Sequence, residues 1–125
     1  MTAARLRTMV RVDHEDWHVE IPNAAQLSRK AARKGWALGR RALDSSHFLS
    51  GTLPGPIEIS VLLSDDGTVR DLNRDHRNKD SATNVLSFPG DVASTFPGAE
   101  ILLGDIILAW QTVAKEARRD KKPVA

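Results

Sequence analysis

Apolar and polar residues alternate in short runs along the chain, and between those runs apolar residues recur at helical spacing. Val10 and Val12 alternate with Arg11 and Asp13, as in a half-buried strand. Ile57, Ile59, Val61 and Leu63 interleave with Glu58, Ser60 and Leu62 and give the clearest strand. Residues 85–88 predict a third strand closed by Pro89 and Gly90, and Ile101–Ala109 a long, mostly apolar fourth. Asn23, with Gln26 three residues later, predicts a helix start, after which Leu27, Ala31, Leu38 and Ala42 fall on one face. Gly35 and Gly39 weaken that helix by about 1 kcal/mol each relative to Ala. Ser64 or Asp65 caps a short helix that turns Val69 and Leu72 inward. Trp110, Val113, Ala114 and Ala117 form one face of a closing helix. The stretches 50–56 and 94–99 read as loops. The order β-α-β-α-β-β-α predicts an α/β (α+β) fold, a small mixed sheet of about four strands with helices packed on it.

Length and composition narrow this picture. A chain of 125 residues is expected to form one domain, 1–125, and can bury a core without staples. Its 41% hydrophobic and 27% charged residues are those of a soluble globular protein. No apolar run is long enough to cross a bilayer, and none follows Arg5, Arg7 and Arg11 as a secretory signal requires. The absence of cysteine excludes disulfides and thiolate-held zinc and fits a reducing cytoplasm. A transition-metal site would draw on His14, His18, His47 and His76 with Asp or Glu.

The net charge is only +2, but it is unevenly placed. Residues 21–43 contain no acid, while Arg29, Lys30, Arg33, Lys34, Arg40 and Arg41 are all basic. Lys115, Arg118, Arg119, Lys121 and Lys122 form a second cluster, diluted by Glu116 and Asp120. Such local fields suit a polyanion such as RNA. The plainer alternative, which charge alone favours, is that these residues solvate the outer faces of two helices.

Two stretches could carry chemistry. His14, Glu15 and His18 match the H-E-x-x-H pattern of zinc proteases, which works only on a helix that aims both imidazoles at one metal. A β-like alternation precedes it and Pro22 follows, so a strand-end turn is expected there and a chance match is favoured. The second stretch is 73–88. Arg77 follows a short helix, and a guanidinium is the natural two-oxygen partner of a phosphodiester. The alternative is that Arg77 pairs with Asp75 or Asp80 and braces the turn. In 83–88, alternation places Thr83, Val85 and Ser87 on one face and Asn84, Leu86 and Phe88 on the other. Small polar residues there leave room for a ligand or simply mark a strand near its edge. Asp105, after Gly104 in an apolar strand, must be paired or lie at an open edge, and could orient a catalytic group or brace Arg77 or a loop amide.

The run NRDHRNKDSATNVLSFP at 73–89, followed by LLGDII at 102–107, resembles the YbeY family of rRNA maturation factors. Leu72, Asn73, His76, Arg77, Asp80, Thr83 to Pro89, Gly104, Asp105 and Ile106 match the family pattern, and the resemblance covers the chain from about Val10. It implies a YbeY-like metallohydrolase fold and a zinc-dependent, single-strand-specific endoribonuclease. It also implies a role in 16S rRNA maturation and ribosome quality control, in the cytoplasm. Single-stranded RNA, 16S rRNA, the small ribosomal subunit and ribosome-assembly proteins would be the partners, with no membrane involved. Arg77 would be catalytic; Arg77, Lys79, Asn84, Ser87, Arg33 and Lys34 would contact RNA. The family's three-histidine zinc segment resembles H-G-x-L-H-L-x-G-Y-D-H and would follow the helix begun at Trp110, yet no histidine follows Trp110. The chain is therefore expected to hold no zinc and to leave RNA uncut. The rival functions are a non-catalytic RNA- or ribosome-binding module of the same fold, and the zinc protease on His14, Glu15 and His18.

Overall fold

The computed structural model describes residues 6–45, 57–90 and 101–125; the expected loops at 50–56 and 94–99, and His47, lie outside them. The elements run β1 (Leu6–Val12), α1 (Asp16–Glu20), α2 (Ala24–Ser45), β2 (Ile57–Ser64), α3 (Asp66–Arg77), β3 (Val85–Pro89), β4 (Ile101–Ala109) and α4 (Trp110–Arg119). The expected order holds, with one addition. Residues 16–20 form a single helical turn where a strand-end turn was expected, because Trp17 swings inward and closes the core.

The strands form one mixed sheet in the order β1-β2-β4-β3. β1 and β2 are parallel, β2 and β4 are parallel, and β3 runs antiparallel to β4 at the edge. Parallel neighbours need crossovers, which α1 with α2, and α3 with β3, supply. The β2–β4 register slips between Glu58 and Ile59, so that Leu103 has no partner on β2 and Gly104 stands opposite Ile59. Gly104 also faces Pro89, and a Cβ on it would lie 2.7 Å from the Phe88 carbonyl oxygen. Glycine is required there by close backbone approach.

Each face of the sheet buries a separate cluster. Trp17, Ile21, Ala24, Val61, Leu63 and Trp110 join Val10, Val12 and Ile59 on one face. The Trp17 and Trp110 rings meet edge to face at 5.0 Å, and Trp17 Nε1–H donates to the Ser64 carbonyl at 2.8 Å. Val69 of α3 packs with Leu86, Ile107, Ala109, Leu62, Leu72 and Phe88 on the other face. Val69 and Leu72 point inward as expected. The apolar stripe expected on α2 is displaced where its side chains are described: Leu27 is 37% and Leu38 69% exposed and Ala31 is exposed, while the Ala42 side chain lies outside those described. Ala24, Ser28, Ala32 and Trp36, spaced four apart, are the more buried positions instead. Small residues let the helix approach the sheet, and Ser28 hides its hydroxyl by donating to the Ala24 carbonyl at 2.8 Å.

α3 and α4 cap each other. Asp65 stands at the N-cap of α3 and accepts from Thr68 N–H at 2.8 Å. α4 has Ala109 at its N-cap and no side-chain cap of its own. Asp66 supplies the missing acceptor, taking hydrogen bonds from Thr112 N–H at 3.0 Å and Thr112 Oγ1 at 2.8 Å. Gln111 returns the bond by accepting from Asp66 N–H at 2.8 Å.

Candidate functional site

Arg77 is the last residue of α3, and the helix stops because Asn78 turns left-handed at φ 57 and closes its N–H onto the Asn73 carbonyl. Asn73 is buried, and its amide donates to the Ser81 carbonyl at 2.9 Å, which pins the following loop to the helix. Arg77 is thereby delivered beside β3. Its Nη2 donates to the Ser87 carbonyl at 3.0 Å, and its guanidinium carbon stands 5.8 Å from the Phe88 ring centroid. His76 meets the same ring edge-on at 5.4 Å.

The carboxylates that could have claimed Arg77 are engaged elsewhere. Asp80 takes two bonds from Arg70, at 2.7 and 3.2 Å, and Asp75 takes one from Arg74 at 3.2 Å. The Arg70 bond and charge hold the Asp80 carboxyl below the usual carboxylate range. Arg77 forms no ion pair among the described residues, and its remaining N–H groups are open to solvent. The expected bracing of the turn by Arg77 through Asp75 or Asp80 is therefore not what the structure shows: Arg70 and Arg74 take those carboxylates.

The other candidate residues are dispersed. Lys79 is exposed just after α3 and uses its backbone N–H on the Asn73 carbonyl at 3.2 Å. Asn84 is occupied structurally. Its side-chain amide donates to Glu116 at 3.1 Å and its carbonyl accepts from Ala109 N–H at 2.9 Å, tying the start of β3 to α4. Ser87 enters the site through its backbone carbonyl; its side chain alternates to the face away from Leu86 and Phe88. Arg33 and Lys34 are exposed on α2, which packs on the opposite side of the sheet from α3. The structure therefore does not bring them to Arg77.

His14 precedes α1 and lies 3.2 Å from Asp16 and 4.0 Å from Asp65, while His18 is exposed on the helical turn. Among the described residues no group of three or more His, Asp or Glu side chains is placed to hold a metal ion. The described residues therefore do not fit zinc, and they give His14, Glu15 and His18 no further ligand. Also among them, no helix is long and apolar enough to cross a membrane.

Comparison with known proteins shows the family of the chain. Residues 23–125 match the family Endoribonuclease YbeY. Endoribonuclease YbeY of Paramagnetospirillum magneticum is 51% identical over 74 residues, covering 57% of this chain and 45% of the relative. That of Rhodospirillum rubrum is 44% identical over 105 residues, or 81% of this chain and 50% of the relative. One from Rhodopseudomonas palustris is 35% identical over 122 residues, 97% of this chain and 58% of the relative. The chain thus spans about half the length of the curated relatives it matches.

Proposed function

The chain belongs to the YbeY family, and from that premise we propose that it binds single-stranded RNA, with Arg77 gripping a backbone phosphate, as part of an endoribonuclease. The observation that carries this reading is the state of Arg77. It is fixed by a backbone carbonyl and an aromatic ring, yet it is the member of the Arg70, Arg74 and Arg77 series without a carboxylate partner among the described residues. A guanidinium held in this way offers two parallel N–H groups to a phosphodiester with little left to order on binding. In catalysis the same group would stabilise charge that builds on the phosphate oxygens.

The relatives' name supplies RNA cleavage; beyond it, the setting we infer is the one the sequence resemblance implies, 16S rRNA maturation and ribosome quality control in the cytoplasm, with the small ribosomal subunit and its assembly proteins as partners. Zinc would supply an activated water in the family's reaction; the described residues bind and orient the RNA. Arg33 and Lys34 contribute a general attraction from the other side of the sheet rather than a contact at the cleavage point.

Fluorescence anisotropy with a labelled U-rich single-stranded RNA tests this reading. Arg77→Ala is expected to weaken binding by roughly 10-fold or more, the scale of a lost charge-assisted bond. Arg70→Ala, which breaks a surface ion pair with Asp80, is expected to change it by less than about 3-fold. Equal effects of the two substitutions would remove Arg77 from the site.

A further inference from the structure

On the α3 face, beyond the end of the packed cluster, lies a cleft of about 480 Å³ whose walls include Ser60, Leu72, His76, Phe88 and Asp105, with Arg11 at its β1 end. This volume is in the usual range for small-molecule sites, roughly 300–1,000 Å³. The strand register builds its floor. Ser60 stands opposite Asp105, and Asp105 opposite Phe88, so a hydroxyl, a carboxylate and an aromatic ring lie in one row across three strands.

Asp105 is the unexplained member of that row. It interrupts an apolar strand, is half-buried, and among the described residues makes no side-chain hydrogen bond or ion pair. Arg77, one of the partners expected for it, turns instead to the Ser87 carbonyl, and no amide among the described residues donates to it. A half-buried carboxylate with no donor among the described residues is poised to accept from a ligand. The flat Phe88 ring, with apolar Leu72 also in the lining, favours a planar one. Phe88 is also the ring beside the Arg77 guanidinium, so the cleft adjoins the phosphate-binding group.

We propose that this cleft receives one base of the bound RNA, guanine by preference. The inference rests on the RNA-binding reading above and adds a base specificity to it. A carboxylate only accepts, and guanine alone among the four bases presents two neighbouring N–H donors, N1–H and N2–H, along one edge. Asp105 accepts from both. Arg11, whose Nε is held by Asp13 at 2.8 Å, keeps its Nη groups for the O6 and N7 acceptors of the same base. Phe88 and His76 provide the stacking surface, which accepts any base and leaves the choice to Asp105.

The 125-residue chain is titrated with the pentamers UUGUU and UUUUU, and with GMP, AMP, CMP and UMP followed by two-dimensional NMR. UUGUU is expected to bind on the order of 10-fold more tightly than UUUUU, the scale of a bidentate base contact. GMP is expected to perturb the Asp105 and Phe88 backbone resonances more than the other nucleotides do. Asp105→Asn should abolish the preference for UUGUU while leaving UUUUU affinity within about 3-fold, since the stacking wall and Arg77 remain. Phe88→Leu is the second variant, and it should weaken both pentamers. Circular dichroism and urea unfolding confirm that each variant folds. Equal binding of the two pentamers by the wild type, or an undiminished preference in Asp105→Asn, would overturn the base site while leaving RNA binding through Arg77 intact. Absence of binding to either pentamer would overturn the RNA reading and the base site with it.

Discussion

On one face of the sheet, α2 lays Ala24, Ser28, Ala32 and Trp36 inward and turns Arg29, Lys30, Arg33 and Lys34 to water. On the other, α3 packs Val69 and Leu72 and ends on Arg77, which is held against β3 by the Ser87 carbonyl. Both helices are rich in cations, but the cations differ in kind. Those on α2 are interchangeable, because no described contact fixes where any of them points. Those on α3 are sorted: Arg70 and Arg74 are tied to carboxylates, and Arg77 is fixed with its charge unspent. A field can be made by free side chains, but a phosphate is positioned only by a fixed one. On the proposed reading, the local charge excess of residues 21–43 therefore marks the less specific side of the molecule.

The largest test of this division removes the core of the α2 side. Trp17 is 4% exposed, meets Trp110 edge to face, and satisfies the Ser64 carbonyl. Trp17→Ala is expected to cost about 3–5 kcal/mol, through the cavity and the orphaned carbonyl. Urea unfolding would show the midpoint falling with little change in slope. A loss below about 1 kcal/mol would mean that the α3 face holds the fold by itself.

A smaller effect is expected where the two faces are joined. Asp66 carries both hydrogen bonds to Thr112 and caps α4 in place of a side chain α4 lacks. Asp66→Ala should destabilise the chain by about 1–2 kcal/mol. Thr112→Val keeps the backbone bond and should cost about half as much. If Asp66→Ala and Thr112→Val cost the same, the hydroxyl bond dominates and the helix-capping role is wrong.

The sheet, the sequence of elements and the inward positions of α3 were legible from alternation and spacing, because each strand there carries its own period. Two features were not. α1 is a single turn held by what Trp17 touches, and no local periodicity of five residues announces a tertiary contact 47 residues away. The buried stripe of α2 was misplaced because its packing surface is Ala and Ser, which hydrophobicity ranks below the exposed Leu27 and Leu38. At the candidate site, the sequence named Arg77 and both carboxylates that might bind it. Only the fold shows Asp80 committed to Arg70 and Asp75 to Arg74. Asn84 looked like a ligand-facing polar residue, but its bond to Glu116 crosses 32 residues and could not be read from 83–88 alone.

A subtler test concerns the salt dependence of RNA binding. Replacing both Arg33 and Lys34 with Gln should flatten the slope of log affinity against log salt by about 1 to 2, if each neutralises a phosphate in the bound state. The loss should be the same for every RNA sequence tested, because phosphate contacts carry no base information. A sequence-dependent loss would move these two residues from a general field to a defined contact, and would erase the distinction between the faces.

The smallest expected effect separates the starts of the two helices by pH. α2 has no acidic residue in its first turn, whereas α3 begins at Asp65, whose carboxylate accepts from Thr68. That backbone bond, more than the Thr68 side chain or the charge of His14, holds the Asp65 carboxyl below its ordinary 3.8. Between the lowered value and the unfolded one, the unfolded chain binds more protons, so stability rises with pH across that window. The contribution is therefore complete above about pH 5 and is lost as pH falls through the lowered value. Its size is about 1 kcal/mol or less, as for an N-cap on a partly exposed helix end. Asp65→Asn preserves an acceptor for Thr68 but cannot titrate, so at pH 7 it should alter stability by only a few tenths of a kcal/mol. The difference in unfolding free energy between wild type and Asp65→Asn should stay level from pH 7 to about pH 5, then shift against the wild type in stronger acid. Urea unfolding at stepped pH measures it directly. Parallel curves for the two proteins would assign the acid loss to the other lowered carboxylates, Asp80 beside Arg70 and Asp120 beside Arg119, and would leave the start of α3 as insensitive to acid as that of α2.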